Sequence, residues 1–315
     1  MKRVLVVSYS QSGQLIEVVK SLISPLQESD EIYIREVVLK PIPEFAFPWK
    51  FSKFVDVFPE TVQLHPPELA PLNLEDEEPF DLVILGYQVW YLSPAPPITA
   101  FLKSKEGKRV LNGRPVVTVI ACRNMWLIAQ ETVKRLLHES GAYLRDNVVF
   151  VDKANFFATV FTTPIWLMTG KRQPFPSLPR AGVSEEDVKD APRFGDALLA
   201  ALKTDKEKVD APMLKGMGAA VVDQAFIFGE RAAHRGFRFW SGLICRVGKR
   251  GIWVRRALLA LFVTYLILMV LVVFPISVVV RRLLTPLLKE RLNELQKYYE
   301  QPSGSARYDD KEINK

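Results

Sequence analysis

An apolar run, Val4-Leu5-Val6-Val7, passes directly into Ser8-Tyr9-Ser10-Gln11-Ser12-Gly13-Gln14 and then into a segment with helical spacing. No other feature constrains the fold as much. An apolar strand without polar alternation needs cover on both faces. A strand that feeds a helix through a short loop begins a parallel α/β arrangement. The helix is read over Gln14 to Leu26, where Leu15, Ile16, Val18, Val19, Leu22, Ile23 and Leu26 form one face and Pro25 falls near the end. Free backbone N–H groups, the helix dipole and serine hydroxyls make the intervening loop an anion site. It lacks the Lys-Ser/Thr ending of a Walker A loop and the spaced glycines of a dinucleotide fingerprint. A serine-rich turn that holds no ligand is the other reading.

The following segments repeat the alternation. Glu31 to Leu39 reads as a second strand, and Pro41 to Pro79 as a long loop rich in proline and aromatic residues. Asp81 to Leu85 is a third strand ending at Gly86, Pro97 to Lys103 starts a short helix, and Pro115 to Ala121 is a fourth strand. Leu127 to Ser140 is a helix stopped by Gly141, and Val148 to Val151 is a fifth strand. Five such strands imply an α/β, doubly wound parallel sheet and suit the order 2-1-3-4-5, whose ligand lies beyond the carboxyl ends of the strands. Ser184-Glu185-Glu186-Asp187 has the form of a capping box, and Phe194, Leu198, Leu199 and Leu202 continue a helix that is kinked at Pro192 or begins there. An apolar insertion, Phe156 to Gly182, precedes it and carries Trp166, Leu167 and Met168. It lines a pocket, dips into a membrane surface or packs locally on the sheet.

The mean hydropathy of +0.07 has a local cause. Ala257 to Val280 contains 24 consecutive residues without a charge. About 20 apolar residues cross a bilayer as a helix, and Pro275 inside the run would kink it. Residues 205–256 carry a net charge of +6 and residues 281–315 a net of +2, against −1 for the rest. Basic segments that flank an apolar run point to anionic lipid rather than nucleic acid. Residues 205–256 therefore read as a basic juxtamembrane helical region, 257–280 as a transmembrane or membrane-inserted helix, and 281–315 as an amphipathic helix with a polar, disordered tail from Pro302. Six Lys/Arg precede the run and five follow it within twenty residues, so charge does not orient it; both flanks lie on one side if the helix is only half inserted. Met1-Lys2-Arg3 begins no signal peptide, which leaves the first domain in the cytoplasm. Cys122, Cys245 and the scattered His65, His138 and His234 form neither a disulfide framework nor a metal site.

The loop Ser10-Gln11-Ser12-Gly13-Gln14-Leu15 resembles the flavodoxin phosphate loop, roughly Ser/Thr-x-Thr-Gly-x-Thr, up to its last position, where Leu15 replaces a hydroxyl residue. The loop after strand three resembles that of flavodoxin-like quinone and FMN reductases at Gly86, Val89, Trp90, Pro97 and Phe101. Tyr87 and Gln88 replace a small residue and a proline there. The resemblance covers residues 3–204. It implies a flavodoxin-like fold with bound FMN, the phosphate held by Ser8, Ser10, Gln11, Ser12, Gly13 and Gln14. It further implies a flavin ring flanked by Tyr87, Gln88, Val89, Trp90 and Tyr91, with Cys122, Arg123 and Asn124 at its edge. Arg123 and Asn124 would bond flavin carbonyls, and a cation there would stabilise reduced flavin. Core or lid packing is the other reading for Trp90 and Tyr91, and a surface charge for Arg123. Cys122 reads as a small buried hydrophobe.

The architecture and the Cys122–Trp126 loop are similar to those of bacterial dialkylresorcinol condensing enzymes. That resemblance implies a membrane-associated, FMN-dependent oxidoreductase that aromatises a cyclohexanedione in dialkylresorcinol or aryl-polyene lipid biosynthesis. Its expected partners are an apolar small-molecule substrate, an anionic lipid membrane and other enzymes of the pathway. The expected location is the bacterial inner membrane. No ketosynthase Cys–His arrangement is present, so ring oxidation fits better than condensation. The alternatives are a quinone reductase or protoporphyrinogen-type oxidase, and a non-enzymatic electron carrier or a scaffold that has lost FMN. No residue pattern identifies a catalytic acid or base.

Overall fold

The computed structural model describes residues 1–247, 252–273 and 288–305. Strands β1 (Lys2–Ser8), β2 (Ile32–Val38), β3 (Leu82–Tyr87), β4 (Pro115–Cys122) and β5 (Tyr143–Val151) form one sheet. All neighbours run parallel, in the order β2-β1-β3-β4-β5. This is the flavodoxin-like order read from the sequence. The chain winds in opposite directions from β1 and β3, so the loops that follow them part and open a crevice.

Helices α1 (Gln14–Gln27), α2 (Phe51–Val62), α3 (Pro96–Lys103), α4 (Lys105–Leu111), α5 (Leu127–Glu139) and α6 (Phe156–Thr169) follow in chain order. Then come α7 (Glu185–Asp190), α8 (Pro192–Lys203), α9 (Gln224–Val247), α10 (Trp253–Leu268) and α11 over 288–300. On one sheet face Val4, Val6, Ile84 and Val119 pack on Leu15, Val19 and Leu22 of α1 and Leu198 of α8. On the other, Leu5, Val7, Leu85 and Ile120 pack on Phe101 of α3 and Val133 and Leu137 of α5. Strand side chains alternate between faces, and here both faces are apolar, which is why the runs show no polar alternation.

Three departures have clear causes. The expected loop 41–79 contains α2, whose Val55, Phe58 and Val62 are buried despite Pro59 in the helix. Strand β5 starts at Tyr143 rather than Val148. Its buried Asp146 is satisfied. Asp146 accepts bonds from the Met213 and Leu214 N–H groups at 2.7 and 3.1 Å and from the Ser303 hydroxyl at 2.9 Å. Residues 302–305 are therefore not a loose tail, and Ser303 is fully buried. The capping box is formed, with the Asp187 N–H donating to Ser184 Oγ, and the last sheet-covering helix begins at Pro192.

Helix α10 starts earlier than the apolar run. Its Arg255 side chain, 2% exposed, bonds Asp56 at 2.8 Å and Glu60 at 2.9 Å on α2. Phe262 stacks on Phe58 with ring centroids 3.7 Å apart, and Trp240 of α9 packs on Tyr265 at 5.7 Å. Beyond this anchor Ile267, Leu268, Leu271 and Val272 are exposed. A five-residue π turn, Met269–Val273, continues the helix. Pro275 and the rest of the run to Val280, the basic Lys249, Arg250, Arg281 and Arg282, and Leu284 and Leu287 lie outside the described residues. The chain then returns to the same domain: Leu292 and Tyr299 enter the core beside α5, and the Tyr298 hydroxyl bonds Glu131 at 2.8 Å.

Candidate functional site

A cavity of 160 Å³ lies at the carboxyl ends of β1, β3, β4 and β5. From the expected set it gathers Gln11, Ser12, Gln14, Gln88, Val89, Trp90, Tyr91, Cys122 and Arg123. The other five do not line it.

Ser8 is the last residue of β1, buried, and its carbonyl accepts from the Leu39 N–H at 2.9 Å. Ser10 turns inward and accepts from the Leu15 N–H at 3.3 Å, acting as a cap for α1. Gly13 supplies the left-handed turn, φ +86°, that starts the helix. Tyr87 is fully buried beneath the site and donates to Gln130 Oε1 at 2.5 Å. Asn124 Oδ1 accepts from the Met125 N–H at 2.7 Å and shapes the turn at Met125, φ +56°. These residues support the site rather than face it. A residue pattern fixes chain position, and the side-chain direction follows from contacts that only the fold supplies.

Several lining residues are committed as well. Gln11 ties three segments: its N–H donates to Gln88 Oε1 at 2.9 Å, and its side chain donates to the Phe45 and Ala46 carbonyls at 3.1 and 2.8 Å. Gln14 pairs with the Val183 backbone through two bonds, 2.9 and 3.0 Å. Gly182 makes that approach possible. Its φ is +92°, and a Cβ there would lie 2.3 Å from Gln14 Oε1 and 3.0 Å from the Trp166 ring. What stays available is backbone: among the described residues the N–H groups of Ser12, Gly13 and Gln14 have no acceptor. They sit at the positive end of the α1 dipole. A Cβ built on Gly13 would meet nothing within 4 Å, so the space above the loop is open.

The opposite side of the cavity is aromatic and closed by the protein itself. Trp90 packs edge-on against Tyr9, Phe45 and Trp49 at 6.0, 5.3 and 5.7 Å. Tyr91 donates to the Phe54 carbonyl at 2.8 Å, and its ring lies on Phe54 and Phe58. Two inserted segments meet over the cavity. The Trp49 N–H donates to the Leu167 carbonyl at 2.8 Å, which joins the strap 43–50 to α6. Trp49, Phe54, Ala121, Asp152, Thr163, Trp166, Leu167 and Gly182 complete the lining; the last four lie in the apolar insertion, for which a pocket wall was one reading, and the first four were not assigned to the site from the sequence. Part of the apolar insertion thus lines the cavity, while its Phe161 and Phe175 are exposed.

At the β4 end, burial pushes the Cys122 thiol far up, and the nearby Glu230 and Asp152 push the same way. Both effects favour the neutral thiol over the thiolate. Arg123 donates to Thr159 Oγ1 at 2.9 Å; burial lowers its basicity while Asp152 opposes that. Asp152 in turn accepts from the Gly182 N–H at 2.8 Å. Helix α5 has no local side-chain cap. Instead Glu230 of α9, fully buried, accepts from the Ile128 N–H at 2.8 Å.

No protein-family model matches the chain, and no curated protein matches it. Among solved structures, a flavoprotein in complex with FMN from Lactobacillus acidophilus is 18% identical, with a TM-score of 0.36, over 47% of this chain and 93% of its own. Flavodoxin 1 from Bacillus cereus is 13% identical over 63% and 98%, TM-score 0.34. The Trp repressor binding protein from Bacillus subtilis is 9% identical over 61% and 99%, TM-score 0.32. Likeness this distant adds nothing to what the strand order and the site geometry say directly.

Proposed function

We propose that the protein is an FMN-dependent redox protein that acts on an apolar substrate at a membrane surface. One observation carries the reading. Three uncommitted N–H groups, of Ser12, Gly13 and Gln14, stand at the N-terminus of α1 in the crevice where this strand order places FMN. The donor set fits a phosphate. When bound there, FMN would supply hydride transfer. This chain's residues would hold the phosphate on the loop, pack Trp90 against the ring and hold Arg123 near its edge. Strap 43–50 and α6 would keep water out.

The ring end fits only after movement. A cavity of 160 Å³ is smaller than the roughly 300 Å³ at which ligand pockets begin. Loading therefore requires the strap to swing outward and the Trp49–Leu167 bond to break. The same facts favour one other reading, a scaffold on a fold that has lost its flavin: Leu15 is buried in the core and Gln14 is clamped by Val183. The absorbance spectrum of detergent-purified protein, with mass analysis of released flavin, separates the two. Yellow protein releasing FMN supports the redox reading; colourless protein that FMN cannot reconstitute refutes it.

For the membrane we infer insertion into one leaflet from the same side as the domain. The support is geometric. Helix α10 is anchored to α2 and α9 as far as Tyr265, and the chain after the apolar run packs on the same domain. Fifteen uncharged residues follow Tyr265, up to Val280, fewer than the roughly 20 that cross a bilayer as a helix. Within this class, aromatisation of a cyclohexanedione is the reaction we would test first, on the strength of the sequence resemblance. Quinone reduction and porphyrinogen-type oxidation come next.

A further inference from the structure

A second hollow, far larger than the first, runs between residues 43–57 and the first turns of α10, with a volume of 1220 Å³. Its walls are apolar, formed by Phe45, Trp49, Phe51, Val55, Leu259 and Val263. Its charges are unbalanced. Arg255 is consumed by Asp56 and Glu60. Lys50, Lys53 and Arg256 also line it, and none has an ion-pair partner among the described residues; the other acid in the lining is Glu44. Two of these cations stand where cations are unfavourable. Lys50 is the N-cap of α2 and Lys53 lies in its first turn, which contains no acidic residue. A helix N-terminus favours anions, so these lysines raise a positive potential that an incoming acid would relieve.

Position supplies the rest. One wall of the groove is α10, whose outer end bears the exposed apolar Ile267 and Leu268, followed by Leu271 on the π turn. Trp49 lines both the groove and the inner cavity and is the one residue common to the two linings. Apolar walls with unpaired cations complement a molecule that has an acid at one end and hydrocarbon at the other.

We propose that this groove binds an anionic amphiphile drawn from the bilayer, its acid against Lys50, Lys53 and Arg256 and its apolar part on Trp49. As a route to the inner cavity it rests on the redox reading; as a binding site it does not.

The test uses the full chain in phosphatidylcholine nanodiscs, titrated with dibromostearate or its methyl ester while tryptophan fluorescence is followed. The acid should quench saturably, and Trp49→Phe should remove that saturable component. The triple variant Lys50→Gln, Lys53→Gln, Arg256→Gln should weaken the acid by about tenfold or more and leave the ester unchanged. Ala260→Phe, which narrows the groove, adds no indole and leaves its charges alone, should weaken saturable quenching by either probe. Quenching that rises without saturation and equally in all variants is partition into lipid, and overturns the proposal. So does saturable binding in which acid and ester do not differ. Colourless protein that binds the acid retires the flavin reading and keeps the groove; yellow protein that fails to bind it retires the groove alone.

Discussion

Replacing Glu230 with glutamine should stabilise the protein at alkaline pH and change little in acid. The carboxyl is fully buried, and burial pushes it up from 4.5 to about 8, while the N–H groups of Ile128 and Leu127 pull the other way. One carboxylate oxygen has no hydrogen-bond partner among the described residues. The folded state therefore holds a proton that the unfolded state has released. Stability is greatest below the unfolded value and is lost as pH rises through about 8. Integrating the proton difference from pH 6.5 to 8.5 gives a loss of about 2 kcal/mol. Glutamine keeps an acceptor for Ile128 and carries no charge, so the variant should lack this loss. Asp146, raised to about 6 by burial, and His234, lowered by burial, titrate mostly below this window and are common to both proteins. The assay is the thermal midpoint of both proteins across this range. The wild type should fall by about 4–8 °C more than Glu230→Gln. Parallel curves would refute a buried, proton-loaded carboxyl at the head of α5.

Three further outcomes are expected. Phe58→Ala and Phe262→Ala should each cost about 3–5 kcal/mol, and a double-mutant cycle measured by denaturant unfolding should show a coupling of about 0.5–1.5 kcal/mol, since the rings stack at 3.7 Å. Asp146→Ala removes the acceptor for Met213, Leu214 and Ser303, so limited proteolysis should cut near residues 300–305 sooner than in the wild type. Tyr87→Phe strips a buried hydroxyl from Gln130 and should cost about 1–2 kcal/mol in the same unfolding assay, without altering flavin content.

The parallel sheet was legible because Val4–Val7, Leu82–Leu85 and most of Val116–Ile120 are apolar on both faces and alternate with helical segments; its order came from the flavodoxin-like arrangement that five such strands suit. Helix α2 was not legible. Its apolar face is completed by α9 and α10, and the ion pair that fixes it spans 199 residues. The site was half legible. Loop positions follow from strand ends, so Ser12, Gln88, Trp90 and Arg123 reached the cavity. Tyr87 and Asn124 did not, because a tyrosine or an asparagine reads the same in sequence whether it meets a ligand or a neighbouring amide. Trp49 and Gly182 sit on irregular segments without period, and Glu230 caps a helix 102 residues away.

Ser303 also has a consequence in time. It lies 157 residues after Asp146, the carboxylate that it closes. At roughly 5–20 residues per second, a ribosome needs about 8–30 s to travel that distance. During this interval β5 exists without its closing serine, and the apolar run is synthesised within the same interval. The order of appearance is fixed by the chain: first the strands, then the apolar run, then the hydroxyl that closes Asp146. The apolar run is made before the domain has this last contact.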